Sequence, residues 1–144
     1  MIEEDTIKLL KECDSGTKMG IDSIADMLNY VSDDRLRNIL KDSADEHEKI
    51  GDNLKSLLLS YQDDGKNPSV MAKGMSWIKT NVKLMVDDSD KTVADLTTDG
   101  CNMGVKSLSR YLNQYKAADE KSKDLAKKLI KVESDLSESM REFL

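Results

Sequence analysis

The chain has 144 residues, of which 38% are hydrophobic, 4% aromatic and 35% charged, and its formal net charge is −6. That length suits one domain with its own core, and interspersed charge without a basic stripe disfavours binding to nucleic-acid phosphates. No apolar run approaches the ~20 residues that span a bilayer, so neither nucleic acid nor a membrane is an expected partner.

The N-terminal stretch, "MIEEDTIKLLKE", is acidic and lacks the charged and apolar regions of a secretory signal, which predicts a cytoplasmic protein. Apolar residues then recur at helical spacing along nearly the whole chain. The first helix has an inward face of Ile7, Leu10, Cys13 or Asp14, Thr17, Gly20, Ile24, Met27 with Leu28, and Val31. "SDD" at 32–34 stops that helix and caps the next. The second helix carries Leu36, Ile39, Leu40, Ser43, His47, Ile50, Leu54, Leu57 and Leu58, and so short a loop forces the two to pack antiparallel.

"QDDGKNPS" at 62–69 ends the second helix and contains the one proline, Pro68. "VMAKGMSWIKTNVKLMV" predicts a shorter connecting helix whose Trp77 plugs the core. "DDSDK" at 87–91 is another stop and cap. The third long helix has Val93, Leu96, Gly100, Met103 with Gly104, Leu108, Tyr111, Leu112 and Tyr115 on its inward face. "KAADEKS" makes the last turn, and the fourth helix buries Leu125, Leu129, Val132 beside Glu133, Leu136, Met140 and Phe143. The predicted fold is therefore all-α: one domain, 1–144, in which hairpin 1–62 and hairpin 89–144 are joined by a long crossover, 63–88, that carries a short helix.

Two glycine-bearing segments stand out, because each glycine inside a helix costs about 1 kcal/mol relative to alanine. "GTKMGIDSIADMLN" at 16–29 and "GCNMGVKSLSRYLN" at 100–113 align 84 positions apart, matching Gly16, Met19, Gly20, Ser23, Leu28 and Asn29 with Gly100, Met103, Gly104, Ser107, Leu112 and Asn113. In the second helix of each hairpin the offset becomes 86, so that Ile39, Ile50, Leu54 and Leu58 meet Leu125, Leu136, Met140 and Leu144, and His47 meets Glu133. An internal repeat of two helical hairpins is the expectation, with chance similarity of helical chains as the alternative.

This connectivity resembles the ferritin-like superfamily, and "LKDSADEHEKIGDNL" is similar to the second helix of rubrerythrins. The whole chain resembles an uncharacterised group of bacterial ferritin-like domains in its small-residue first helix with a Cys, its "SWIK" and its second Cys-and-Gly helix. Active members of the superfamily hold two metal ions, with one Glu from the first helix of each hairpin and a Glu-x-x-His from the second. The resemblance places the second helix's Glu position on His47 and its His position on Ile50. In the fourth helix Glu133 keeps the Glu position and Leu136 replaces the His. The remaining ligand positions fall near Gly16 and Thr17, and near Gly100 and Cys101, with Asp14 and Asp99 close by. The expectation is a lost metal centre at Gly16, Thr17, Ile50, Gly100 and Leu136, closed by small and aliphatic residues.

His47 and Glu133 are the candidate site. They read as a buried polar pair satisfying each other, or as a reduced metal site or acid–base pair, iron or manganese being the alternative cofactor to none. Two ligands are too few for tight binding, and Asp99, Cys101 or Asp14 would have to complete a shell. A one-position rotation of the second helix would instead expose His47. Cys13 and Cys101 lack CxxC spacing and read as small buried side chains. Met19, Met27, Met71, Met75, Met85, Met103 and Met140 read as core filler, "KKLIK" at 127–131 as a solvated face, and "DDGKN" lacks the alternating ligands of a calcium loop. No phosphate loop or nucleophile elbow appears. The expected function is a metal-free structural or protein-interaction module, a homodimer or the binder of another protein, and not an enzyme; the alternative is a metal-binding ferritin-like protein or oxidoreductase with an altered intra-bundle site.

Overall fold

The computed structural model describes residues 2–67 and 89–144. The predicted connecting helix, Trp77, Met71, Met75 and Met85 lie outside the described residues. Among those described, four long α-helices build an all-α bundle: α1 (Ile2–Leu28), α2 (Asp34–Ser60), α3 (Asp90–Gln114) and α4 (Glu120–Ser139), the last followed by a 3-10 turn at Arg141–Phe143.

Three of the helices start on side-chain caps. Asp33, Ser89 and Asp119 sit in extended backbone and accept hydrogen bonds from the N–H groups of Leu36, Thr92 and Ser122. Each satisfies a donor that the first helical turn leaves unpaired. The α2 terminus closes with the N–H of Gln62 donating to the Leu59 carbonyl and that of Asp63 to the Leu58 carbonyl. That is a Schellman ending, in which Gln62 takes the left-handed conformation (φ 58°) usually left to glycine. The carbonyl end of α1 is met from the next helix, where the Arg37 guanidinium donates to the carbonyl of Leu28 (3.5 Å) and to that of Val31 in the loop.

The interior consists of two apolar clusters, one above the other. One joins Ile24, Met27 and Val31 to Leu36, Leu40, Val93, Leu136 and Met140. The other joins Leu9, Leu10 and Cys13 to Leu54, Leu58, Leu108, Leu125 and Leu129. The end of α1 and the starts of α2 and α3 share the first cluster, whereas the start of α1 and the end of α2 share the second. Hence α1 and α2 run antiparallel, α2 and α3 run parallel, and α4 runs antiparallel to α3. Within the square of helices, α1 reaches α4 across one diagonal while α2 and α3 stay apart.

The inward face expected of α2 is the observed one, with Leu36, Leu40, Ser43, His47, Ile50, Leu54 and Leu58 all buried. In α3 the expectation needs correcting. Gly100 and Met103 face solvent, Met103 being 66% exposed, while Cys101 is buried. Both sets fit a 3.6-residue period at mid-helix. The series Val93, Thr97, Cys101, Leu108 continues the buried stripe, and methionine's apolarity is a poor guide to which side faces in. Leu9 and Ala126 are core residues that the inward sets above do not contain.

Each hairpin loop is tied to the first turn of a helix in the other hairpin. The Asp90 carboxylate accepts from the N–H groups of Ser32 (2.8 Å) and Asp33 (3.1 Å). At the opposite end, Asp5 accepts from Ala117 N–H (3.0 Å) and the Thr6 hydroxyl from Asp119 N–H (2.8 Å). Asp90→Ala is expected to lower stability by about 1 kcal/mol, since loop N–H groups lose a charged acceptor. Arg35→Ala, which breaks an exposed ion pair with Glu142, is expected to change it by less than about 0.5 kcal/mol. Urea unfolding of the two variants measures the contrast.

Candidate functional site

Midway along the bundle, between the two apolar clusters, the helices bring His47 and Glu133 together. His47 lies near the centre of α2 and is 1% exposed; the Glu133 side chain reaches it from α4 and is 12% exposed. The imidazole Nε2 and Glu133 Oε1 are 3.0 Å apart, and Nδ1 lies 2.7 Å from the Ser43 carbonyl oxygen. A carbonyl can only accept, so Nδ1 carries a hydrogen and donates it. The Nε2–Oε1 contact is then a hydrogen bond only while one further proton lies between those two atoms.

The glycines decide how closely the backbone of the other two helices approaches the pair. A Cβ on Gly20 would sit 2.8 Å from His47 Nε2 and 2.9 Å from its Cδ2. One on Gly104 would sit 3.4 Å from the Glu133 carboxyl carbon, which is ordinary contact. At Gly16 and Gly100 a Cβ would meet nothing within 4 Å. The close approach expected of all four glycines therefore belongs to Gly20 and, more loosely, to Gly104. Gly16 and Gly100 are not required by packing.

The other sequence candidates separate clearly. Ile50 and Leu136, each three residues beyond a member of the pair, are buried in opposite apolar clusters. Thr17 is buried with its hydroxyl donating to the Cys13 carbonyl (2.8 Å). Asp14 is buried but turned away: it accepts from Lys66 N–H (2.9 Å) and pairs with Lys18 (2.9 Å). It also packs against Gly65, whose φ of +88° and missing Cβ let the chain leaving α2 fold back over α1. Asp99 is exposed. Of the three groups that could have completed a shell, only Cys101 comes to the pair.

The electrostatics follow from burial and from this single carboxylate. Burial by itself pulls the His47 pKa down. The hydrogen bond to Glu133, the Ser43 carbonyl, and the charges of Glu133 and Glu46 outweigh it and raise the value above the ordinary 6.5. The Cys101 thiol is pushed up by burial, by the Glu133 charge and by a hydrogen bond to that carboxylate. Burial, with Glu12 and Asp14 adding to it, takes Cys13 up to about 12. Both thiols are free and neutral at physiological pH, which makes them poor nucleophiles.

No known protein family, curated protein or solved structure matches the chain. Its chemistry therefore rests on the residues themselves. Among the described residues, no group of three or more His, Cys, Asp or Glu side chains is placed to hold a metal ion, and no helix is long and apolar enough to cross a membrane. A half-open groove of about 530 Å³ lies elsewhere, between α1 and α2, where Asp14, Lys18, Glu48, Asp52 and Lys55 line it. The role of the Ser43 carbonyl was not legible in the sequence, because it is a backbone group one helical turn from the imidazole.

Alanine substitution sorts the glycines. Gly16→Ala and Gly100→Ala should each raise stability by up to about 1 kcal/mol, the helix-propensity gain. Gly20→Ala should lower it, because overpacking against a ring held on both sides costs about 1–3 kcal/mol. Thermal or urea unfolding of the three variants reads the opposite signs.

Proposed function

We propose that the chain is a ferritin-like bundle, built from two related hairpins, that works without a bound metal as a structural or protein-interaction module. Its partner is another protein, with a second copy of the chain as the first candidate. The carrying observation is the use made of the bundle's centre. There, the chain's single histidine and a single carboxylate are spent on each other.

The imidazole alone would suit a ligand, since metal-bound histidines commonly donate their second N–H to a carbonyl. The rest of the donor set does not follow. Nε2 faces Glu133 and the backbone of Gly20, and the positions three residues beyond the pair are Ile50 and Leu136. A transition metal needs several deprotonated donors of matching geometry. One carboxylate, one imidazole and a thiol kept protonated fall short of that. At this site the one thiol is held protonated and so is not an activated nucleophile. Buried free thiols in separate clusters suit a reducing compartment such as the cytoplasm.

The spatial arrangement supports descent from a duplicated hairpin. His47 and Glu133, 86 positions apart, face each other, and Gly20 and Gly104, 84 apart, both pack on the pair. The end clamps repeat the relation: Asp33 N–H is held by Asp90, and Asp119 N–H by Thr6, at the same two offsets. Parallel α2 and α3, flanked by antiparallel partners, support the ferritin-like reading.

Elemental analysis of the purified full-length chain, expressed with iron and manganese in the medium, tests the reading. Well under one ion per chain is expected, unchanged by His47→Ala. Stoichiometric iron or manganese that disappears in His47→Ala would overturn it in favour of an altered metal site.

A further inference from the structure

We propose that the His47–Glu133 contact is a proton-operated clamp between α2 and α4, closed only while one proton lies between Nε2 and Oε1. The argument is geometric. Nδ1 is held as a donor by the Ser43 carbonyl at 2.7 Å; the Ser43 hydroxyl, the other group near Nδ1, is 3.5 Å away and a much weaker partner for the opposite tautomer. Nε2 and Oε1 at 3.0 Å then either share a proton or oppose two lone pairs. With the proton in place the pair is satisfied. Without it, an anionic oxygen and an imidazole lone pair face each other in a nearly water-free interior, where repulsion is weakly screened.

The surroundings offer no substitute for that proton. From α1 the facing group is Gly20, which has no side chain, and its backbone stands too close for the imidazole to retreat. From α3 comes the Cys101 thiol, which burial and the charge of the same carboxylate hold protonated. From α4 there is Glu133 itself. On α2 the neighbouring charge is Glu46, which adds negative potential and favours the protonated ring. The groups that shift His47 are Glu133, the Ser43 carbonyl and Glu46, none of them a cation; Lys131, which also feels Glu46, is exposed on α4 and paired with Asp135.

The direction of the pH dependence follows. The folded-state value of His47 lies above the unfolded 6.5. The clamp's contribution is thus fully present below pH 6.5 and is lost as pH rises through the folded value. In that window the folded chain binds up to one proton more than the unfolded chain, so the folding constant falls by up to tenfold per pH unit. The inference rests on the reading that no metal occupies Nε2. Elemental analysis tests that point separately, so a failure of one is distinguishable from a failure of the other.

Glu133→Gln isolates the proton. An amide can donate its N–H to the lone pair of neutral Nε2, which keeps a hydrogen bond that needs no titrating group. Urea unfolding of the full chain between pH 6 and about 7.5, below the range in which the two buried thiols would ionise on unfolding, should show the wild-type folding constant falling above pH 6.5, and Glu133→Gln flat over the same range. A flat wild-type profile, or an unchanged slope in Glu133→Gln, would overturn the proposal. The chain has one histidine, so its imidazole NMR signals need no assignment and serve as the second measurement should Glu133→Gln not fold. A wild-type midpoint above 6.5 supports the clamp, and one at or below 6.5 overturns it.

Discussion

The His47–Glu133 contact is the constraint around which the rest of this bundle is arranged. It lies between the two apolar clusters. Burying two ionisable groups is expensive, and the attraction between them does little more than offset their desolvation. Its value to the fold is positional. Leucine layers tolerate sliding, because one aliphatic side chain replaces another at small cost. A histidine with one carboxylate partner does not. Only one register of α2 against α4 brings residues 47 and 133 opposite each other, and that register fixes where Gly20 and Gly104 must lie.

The ends of the bundle are held by the same kind of directional chemistry. Asp90 gathers two N–H groups of the first hairpin loop, and Asp5 with Thr6 gathers two of the second. Hydrophobic burial supplies the driving force but does not say which hairpin face meets which. The polar contacts at both ends and in the middle say so. The loop that leaves α2 is fastened as well, with Asp14 receiving Lys66 N–H beneath Gly65.

Legibility in the sequence followed the range of each interaction. The caps in "SDD" and "DDSDK" could be read directly, because a cap and its helix are sequence neighbours; the cap Asp119 lies in "KAADEKS", which reads only as a turn. The buried face of α2 could be read from its leucines and isoleucines, Ile39 and Leu57 being only half-buried, but the one-position rotation that would expose His47 was excluded only by the approach of Glu133. The α3 stripe could not: Gly100 and Met103 compete with Cys101 and Gly104 at almost the same angle, and only the approach of Glu133 from another helix decides between them. Likewise the sequence marks Gly20 as costly but cannot tell it from Gly16, which costs as much and touches nothing. The Asp90 clamp and the Asp14 contact with Lys66 were illegible, because they join residues more than fifty positions apart. In sequence Asp90 looks like an ordinary acid in a first helical turn.

The facing of residues 47 and 133 has a consequence for how such a chain evolves. If two identical hairpins associate about a twofold axis, whatever stands on the axis meets its own copy: imidazole against imidazole, or carboxylate against carboxylate. Covalent joining of the halves lifts that restriction. Each side then mutates alone, and complementary opposites become reachable at the one spot where a twofold axis forbids them.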